Sequence, residues 1–348
     1  MAVVLAIGTM KGAWVARSHD RSSWDLSGPY LRGWEVTTFG RAPGGDYLLA
    51  TGSSWYGAAI HRSPDLEDWQ QVVDGPAYHA DAGRKLERIW TLTGVGERLY
   101  AGVAEAGLFT SDDDATTWQP VDGLNEHPTR EHWQPGAGGL ALHRLLTDPA
   151  DSSRMWAAIS AVGVLATTDG GTTWELRDSG VTPVIPSDQP GHCVHCIVAD
   201  PDDADAIWRQ DHRGVYRTAD GGRSWEQIQN GVPGSGFGFP IARDPATGHL
   251  FIVPLESDEY RLPVDGRLMV YRSANGGDTW EESGKGLPAD RVYTGVLRGA
   301  MDVDGTDPGG IYFGTTGGEV WASADTAESW QRLPVTFPRV LSVKVLDA

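Results

Sequence analysis

One eight-residue phrase recurs along the chain and constrains the fold more than any other feature. In Thr167–Trp174, Thr218–Trp225 and Ser273–Trp280 a hydroxyl residue is followed two positions on by Asp or Asn, then Gly-Gly, then Thr or Ser directly before Trp. Ser111–Trp118 and Ser323–Trp330 keep the frame with Ala in place of the second Gly. Two worn copies, one residue shorter, run from Ser18 through Asp20 to Trp24 and from Ser63 through Asp65 to Trp69. The closing residues Trp24, Trp69, Trp118, Trp174, Trp225, Trp280 and Trp330 are 45 to 56 residues apart. A period near 50 residues is the length of a four-stranded propeller blade. The spacing therefore predicts an all-β chain: a single seven-bladed β-propeller domain over residues 1–348, with four-stranded blades.

The phrase has a structural chemistry. An Asp at this turn can accept neighbouring backbone N–H bonds, Gly permits a positive φ, and Trp supplies a large apolar plug between blades. Asp113, Asp169, Asp220, Asn275 and Asp325 are assigned this role. Calcium is the alternative for an acidic loop. One carboxylate and one hydroxyl per copy fall short of the six to eight oxygens that ion takes. The box also accounts for a composition in which Trp (15) outnumbers Tyr (10) and Phe (7).

The segment from residue 140 to 177 shows a whole predicted blade. Strands are expected at Leu140–Thr147, Arg154–Ser160, Gly163–Thr168 and Trp174–Arg177, with Asp148-Pro149 turning the first into the second. Asp200-Pro201 and Asp244-Pro245 repeat that turn. The first blade has two strands, Val3–Ile7 and Ala13–Arg17, before its box and lacks an inner one. An extra strand after the last box, Val340–Val345, is expected to fill that place and close the ring, removing exposed edges.

The repeat resembles the Asp box, S/T-x-D-x-G-x-T/S-W, of the BNR-repeat proteins. That group includes sialidases, xyloglucan-active hydrolases, sortilin-type receptors and photosystem assembly factors. The resemblance covers nearly the whole chain and implies a propeller. It does not make the chain a true sialidase: those have six blades and an Arg-Ile-Pro signature near the N-terminus, which is absent here. Their Tyr–Glu nucleophile pair has no residue-by-residue counterpart. The xyloglucan hydrolases join two propellers, against one expected here.

A formal net charge of −19 argues against nucleic acid and an anionic membrane as partners. No apolar run is long enough to span a bilayer. The N-terminal Met1–Gly8 reads as a strand rather than a signal peptide. Cys193 and Cys196 form no disulfide framework. In a strand their three-residue spacing sets the sulfurs on opposite faces, so two structural thiols are expected. These features predict a cytoplasmic protein.

Short Asp-Pro turns and boxes occupy one predicted face. Long irregular connections at Asp74–Lys85, Asp122–Gly139, Ser179–His192 and Glu256–Arg267 occupy the other, the usual place for a binding site on a rigid scaffold. Counting back five residues from each Asp-Pro turn gives His143, His195 and Phe239, with Arg88 at the matching place one blade earlier. Arg84, Lys85, Glu87, His132, Trp133, His192 and His212 lie on nearby connections, and Arg298 lies deeper on the last inner strand. A glycosidase-like reading uses Glu87 or Glu105 as acid or nucleophile. Arg84, Arg88 and Arg298 then hold an anion, with Trp133, His192 and Phe239 as further substrate contacts. His143, His195 and His212 are the alternative catalytic groups, as proton carriers or as ligands of a divalent metal in a hydrolase or lyase. The expected partner is a small molecule or glycan. A non-catalytic binding or assembly propeller is the competing function.

Overall fold

A computed structural model describes residues 3–136, 138–184 and 191–347. The chain is all-β with the four-stranded, box-linked architecture of a β-propeller; its longest helix is the four-residue turn Asp122–Asn125 among the described residues. No described helix is long and apolar enough to cross a membrane. The inner strands of successive units are Glu35–Arg41, Arg88–Val95, Leu142–Thr147, Val194–Ala199, Gly238–Arg243 and Val296–Val303. Each packs beside the next, and the C-terminal strand Val340–Asp347 lies against both Val296–Val303 and Glu35–Arg41.

Five of the units are separate four-stranded antiparallel sheets. The remaining eight strands form one continuous sheet rather than two. Its halves meet at a single parallel bridge, Gly299 to Ser342. In that sheet Val340–Asp347 pairs antiparallel with Val3–Thr9, setting Leu5 opposite Val345 and Ile7 opposite Val343.

The second strand of a unit has another sheet on each face, so its apolar–polar alternation disappears. Met155–Ile159, Leu250–Pro254 and Ile311–Thr315 are buried at every position. The outermost strand shrinks to two exposed residues in several units, such as Gln70–Gln71 and Glu175–Leu176. Such short polar edges resist pairing with another chain.

Each box links the third strand to the fourth. In Thr167–Trp174 the Asp169 carboxylate accepts the Thr173 N–H at 2.9 Å, the Thr173 hydroxyl at 2.7 Å and the Thr167 hydroxyl at 2.7 Å. The Trp then fastens neighbouring units. Nε1 of Trp225, Trp280 and Trp330 donates to the carbonyls of Arg177, Ile228 and Ser283 in the preceding unit, at 2.8–2.9 Å. From the other side Trp156 and Trp208 donate to Gly221 and Gly276 of the following box, each at 2.9 Å. The chain comes so close to the box at Gly231 (φ +96°) that a Cβ there would sit 2.1 Å from the Trp280 carbonyl oxygen.

The box carboxylates tie stability to pH. Hydrogen bonds from the Thr117 hydroxyl and N–H hold Asp113 at about 2, and those from the Thr173 N–H and hydroxyl and the Thr167 hydroxyl hold Asp169 at about 2. A depressed carboxyl stabilises the fold above its unfolded value near 4 and stops doing so as pH falls through its folded value. The urea midpoint is therefore expected to drop as the pH falls from about 4 to about 2. Asn275 makes the same bonds without charge: Oδ1 accepts Ser273 Oγ at 2.9 Å and the Thr279 N–H at 3.0 Å, and Nδ2 donates to Thr279 Oγ1 at 2.9 Å. Asp169→Asn is accordingly expected to keep neutral-pH stability and to flatten the acid slope. A steeper slope in that variant would contradict the assignment.

Candidate functional site

The connections entering the inner strands and those joining second to third strands share one rim. Two clusters of chemistry stand there, and an axial cavity of about 550 Å³ runs past the inner strands between them, with His143, His195, Trp90 and Arg298 in its wall.

The first cluster is a carboxylate cleft of about 460 Å³, lined by Glu35, Glu87, Arg88, Trp90 and Glu105. The sheet itself creates it. Arg88 is registered opposite Ala104, and the Glu87 N–H donates to the Ala104 carbonyl at 2.6 Å. The Glu105 N–H donates to the Lys85 carbonyl at 3.2 Å. Glu87 and Glu105 thus stand just past the end of that ladder, and both line the cleft. Arg88 is already engaged, with Nη2 donating to Glu35 Oε2 at 2.5 Å and the guanidinium over the Trp90 ring at 5.3 Å. Glu35 is thus occupied, and Glu87 and Glu105 are the other carboxylates that line the cleft. Beside the cleft, Trp55 and Tyr56 project into solvent at 88% and 81% exposure, and Trp34 leans on Tyr56 at 5.6 Å between ring centroids. Sequence reasoning missed Glu35, Trp55, Tyr56 and Trp90. The signal for the aromatics was present, since eight tryptophans fall outside the boxes.

The second cluster joins Cys193, His195 and His212, whose ligating atoms lie within 4.8 Å of one another. His195 is 1% exposed and donates Nδ1–H to the Gly238 carbonyl at 2.5 Å. Its Nε2 faces Cys193 Sγ at 3.6 Å. His212 uses Nε2 on Asp258 Oδ2 at 2.7 Å, while its buried Nδ1 finds no partner among the described residues. Phe237 and Phe239 wall the imidazoles, with centroids 5.1 and 4.9 Å from the His195 ring. Burial, and then the nearby Arg298 guanidinium, hold both His143 and His195 well below the ordinary imidazole range, so both are neutral. Burial pushes the Cys193 thiol up. Both cysteines are free, and Cys196 is turned into the core between two sheets.

Several residues named from sequence stand elsewhere. Trp133 is 5% exposed and packs in the core, with Nε1 on Thr129 Oγ1 at 3.0 Å. It is no substrate platform, because the Asp122–Gly139 connection folds back as a helical turn anchored by Asn125, which exchanges bonds with Leu108 at 2.8 and 2.9 Å. Arg84 reaches Glu126 and the Asn125 carbonyl and covers Tyr78, so its charge is spent outside the cleft. His143 lines the axial cavity but its Nε2 is held on the Val194 carbonyl at 2.9 Å, and Cys193 takes the ligand place predicted for it. His132 is a half-exposed neighbour of Glu131. His192 bridges to Val162 through its backbone and enters neither cavity. Phe239 is buried, with Arg298 over its ring at 5.0 Å. Of the Ser179–His192 connection, 185–190 lie outside the described residues.

No family model matches the chain. Among curated proteins, the xyloglucanase Xgh74A of Acetivibrio thermocellus is 25% identical over 265 residues, covering 67% of this chain and 30% of its own length. A Paenibacillus xyloglucanase is 25% identical over 271 residues, covering 68% and 24%. The chain thus spans less than a third of these relatives. Among solved structures, an ancestral GH74 enzyme superposes with a TM-score of 0.54 at 16% identity, over 90% of this chain and 38% of that one. YCF48 bound to D1 peptide gives 0.54 at 12% identity, over 89% of both chains.

Proposed function

We propose that this chain is a glycan-processing β-propeller of glycoside hydrolase type, acting on a β-linked, xyloglucan-like polysaccharide at the carboxylate cleft. One observation carries the reading: Glu87 and Glu105 line the same cleft, which also holds Trp90 and has the exposed Trp55 and Tyr56 beside it. Glycosidic cleavage calls for two carboxylates, one to protonate the leaving oxygen and one to act as nucleophile or activate water. Sugar rings present C–H faces that stack on aromatic surfaces, and exposed Trp and Tyr supply them at low ordering cost. The distant xyloglucanase relatives support this substrate class. In this reading the chain forms one domain of seven four-stranded units, and Val340–Asp347 completes the first unit and closes the ring. That rigid ring holds both carboxylates in register.

Titration with xyloglucan and cello-oligosaccharides, followed by tryptophan fluorescence and by release of reducing ends, tests the proposal. Saturable binding is expected. Trp55→Ala is expected to weaken it by about 1 kcal/mol, roughly fivefold. Binding to none of these sugars, or binding indifferent to Trp55→Ala and Tyr56→Ala together, contradicts it. The likeness to YCF48 bound to D1 peptide, over 89% of both chains, supports a second reading, a non-catalytic rim that holds a peptide or assembly partner. That reading expects a co-purifying protein and no reducing ends from any sugar.

A further inference from the structure

The geometry points to a second site on the same rim, independent of the carboxylate cleft: Cys193, His195 and His212 form a three-ligand site for a zinc-class divalent ion, with Asp258 positioning His212 and one coordination place left open.

Four observations converge. Zinc–sulfur and zinc–nitrogen bonds of about 2.3 and 2.0–2.1 Å at the tetrahedral angle put sulfur and nitrogen about 3.6 Å apart. Cys193 Sγ and His195 Nε2 are 3.6 Å apart. The third ligating atom, from His212, lies within 4.8 Å of both. Each imidazole also has its second nitrogen occupied, His195 Nδ1 by the Gly238 carbonyl and His212 Nε2 by the Asp258 carboxylate. Metal-bound histidines almost always donate their other N–H to a carbonyl or carboxylate, which fixes the tautomer and raises ligand basicity. For His195 the free nitrogen, Nε2, is the one facing the thiol.

The third observation is the orphaned His212 Nδ1, a buried polar atom with no partner among the described residues. Such a group costs stability unless something binds it. The fourth is charge. The Cys193 thiolate and the Asp258 carboxylate offset the charge of a divalent ion, the Arg298 guanidinium nearby favours the thiolate, and Phe237 and Phe239 pack on the His195 ring. On binding, the Cys193 S–H proton leaves to solvent as the metal–sulfur bond forms. Thiolate with two imidazoles selects zinc or copper over magnesium or calcium, which take oxygen ligands. Three protein ligands and an open fourth place is the arrangement of catalytic rather than structural zinc.

Cobalt(II) titration of protein purified without an oligohistidine tag, stripped of metal and kept reduced, tests the site. One equivalent of cobalt is expected to bind, with a near-ultraviolet thiolate-to-cobalt band and tetrahedral visible bands, and zinc is expected to displace it. Cys193→Ser should abolish the thiolate band. His212→Ala should weaken binding by about 100-fold or more, and Asp258→Asn by about 10–100-fold. Cys196→Ala should leave the spectrum unchanged. Asp258 is 55% exposed at its side chain, so its variant remains informative if a buried one misfolds. No stoichiometric uptake, a thiolate band that survives Cys193→Ser, or uptake of copper without cobalt or zinc overturns the assignment.

Discussion

Arg209→Met is expected to lower unfolding stability by about 3–5 kcal/mol, read from the urea midpoint at neutral pH. The fully buried strand Ile207–Asp211 carries an Arg with no exposed side-chain surface between two carboxylates. Its Nε and Nη2 donate to Asp211 Oδ2 at 2.8 and 2.5 Å, and Nη1 donates to Asp178, which follows the outer strand of the preceding unit. The guanidinium also lies over the ring of the box residue Trp225 at 5.6 Å. The cation therefore fastens two units at a place where apolar residues would do so elsewhere. Methionine preserves bulk and strands both carboxylates in the interior. The penalty comes from those stranded charges, so adding Asp211→Leu to Arg209→Met should recover part of the loss. A single variant as stable as the native protein would remove this cluster from the account of how units are joined.

The second large effect falls on turnover. Glu105→Gln and Glu87→Gln are each expected to reduce kcat on a bound oligosaccharide by about 10²–10⁴, the usual contribution of a positioned acid or base. Sugar affinity should stay close to native, because the amide keeps the shape of the acid and the aromatic platform is untouched. Glu35→Gln serves as the comparison. Glu35 is tied to Arg88, so its loss disturbs cleft geometry without removing a free carboxylate. Native turnover in both Glu87→Gln and Glu105→Gln would remove catalysis from this cleft.

The architecture was legible because the box is a local device. Its hydroxyl, carboxylate and glycines satisfy one turn, and its Trp reports the interval between units, so spacing alone located the sheets. The pairing of the C-terminal strand with Val3–Thr9 was legible from a unit short of one strand. The fusion of two sheets was not, because it depends on a single backbone approach at Gly299. Arg88 emerged from aligning units, with Glu87 beside it and Glu105 as a candidate acid, whereas Glu35 was hidden by its position one unit away. Trp133 and Arg84 were misplaced because the Asp122–Gly139 connection reads as an irregular loop. Asn125, which folds it back onto Leu108, carries no pattern of its own. The grouping of Cys193 with His195 and His212 was not legible in the sequence. Cys193 and Cys196 read as a pair of thiols on opposite faces, whereas the structure sets Cys193 Sγ 3.6 Å from His195 Nε2 at a register shift just inside the strand Val194–Ala199.

The most direct test of the central claim is a crystal structure of this chain with a xyloglucan oligosaccharide. The account predicts sugar density along Trp55 and Tyr56, with a glycosidic oxygen between Glu87 and Glu105 inside a closed ring of seven sheets. Sugar bound on the opposite, box-bearing face, or a ring that stays open, would contradict it.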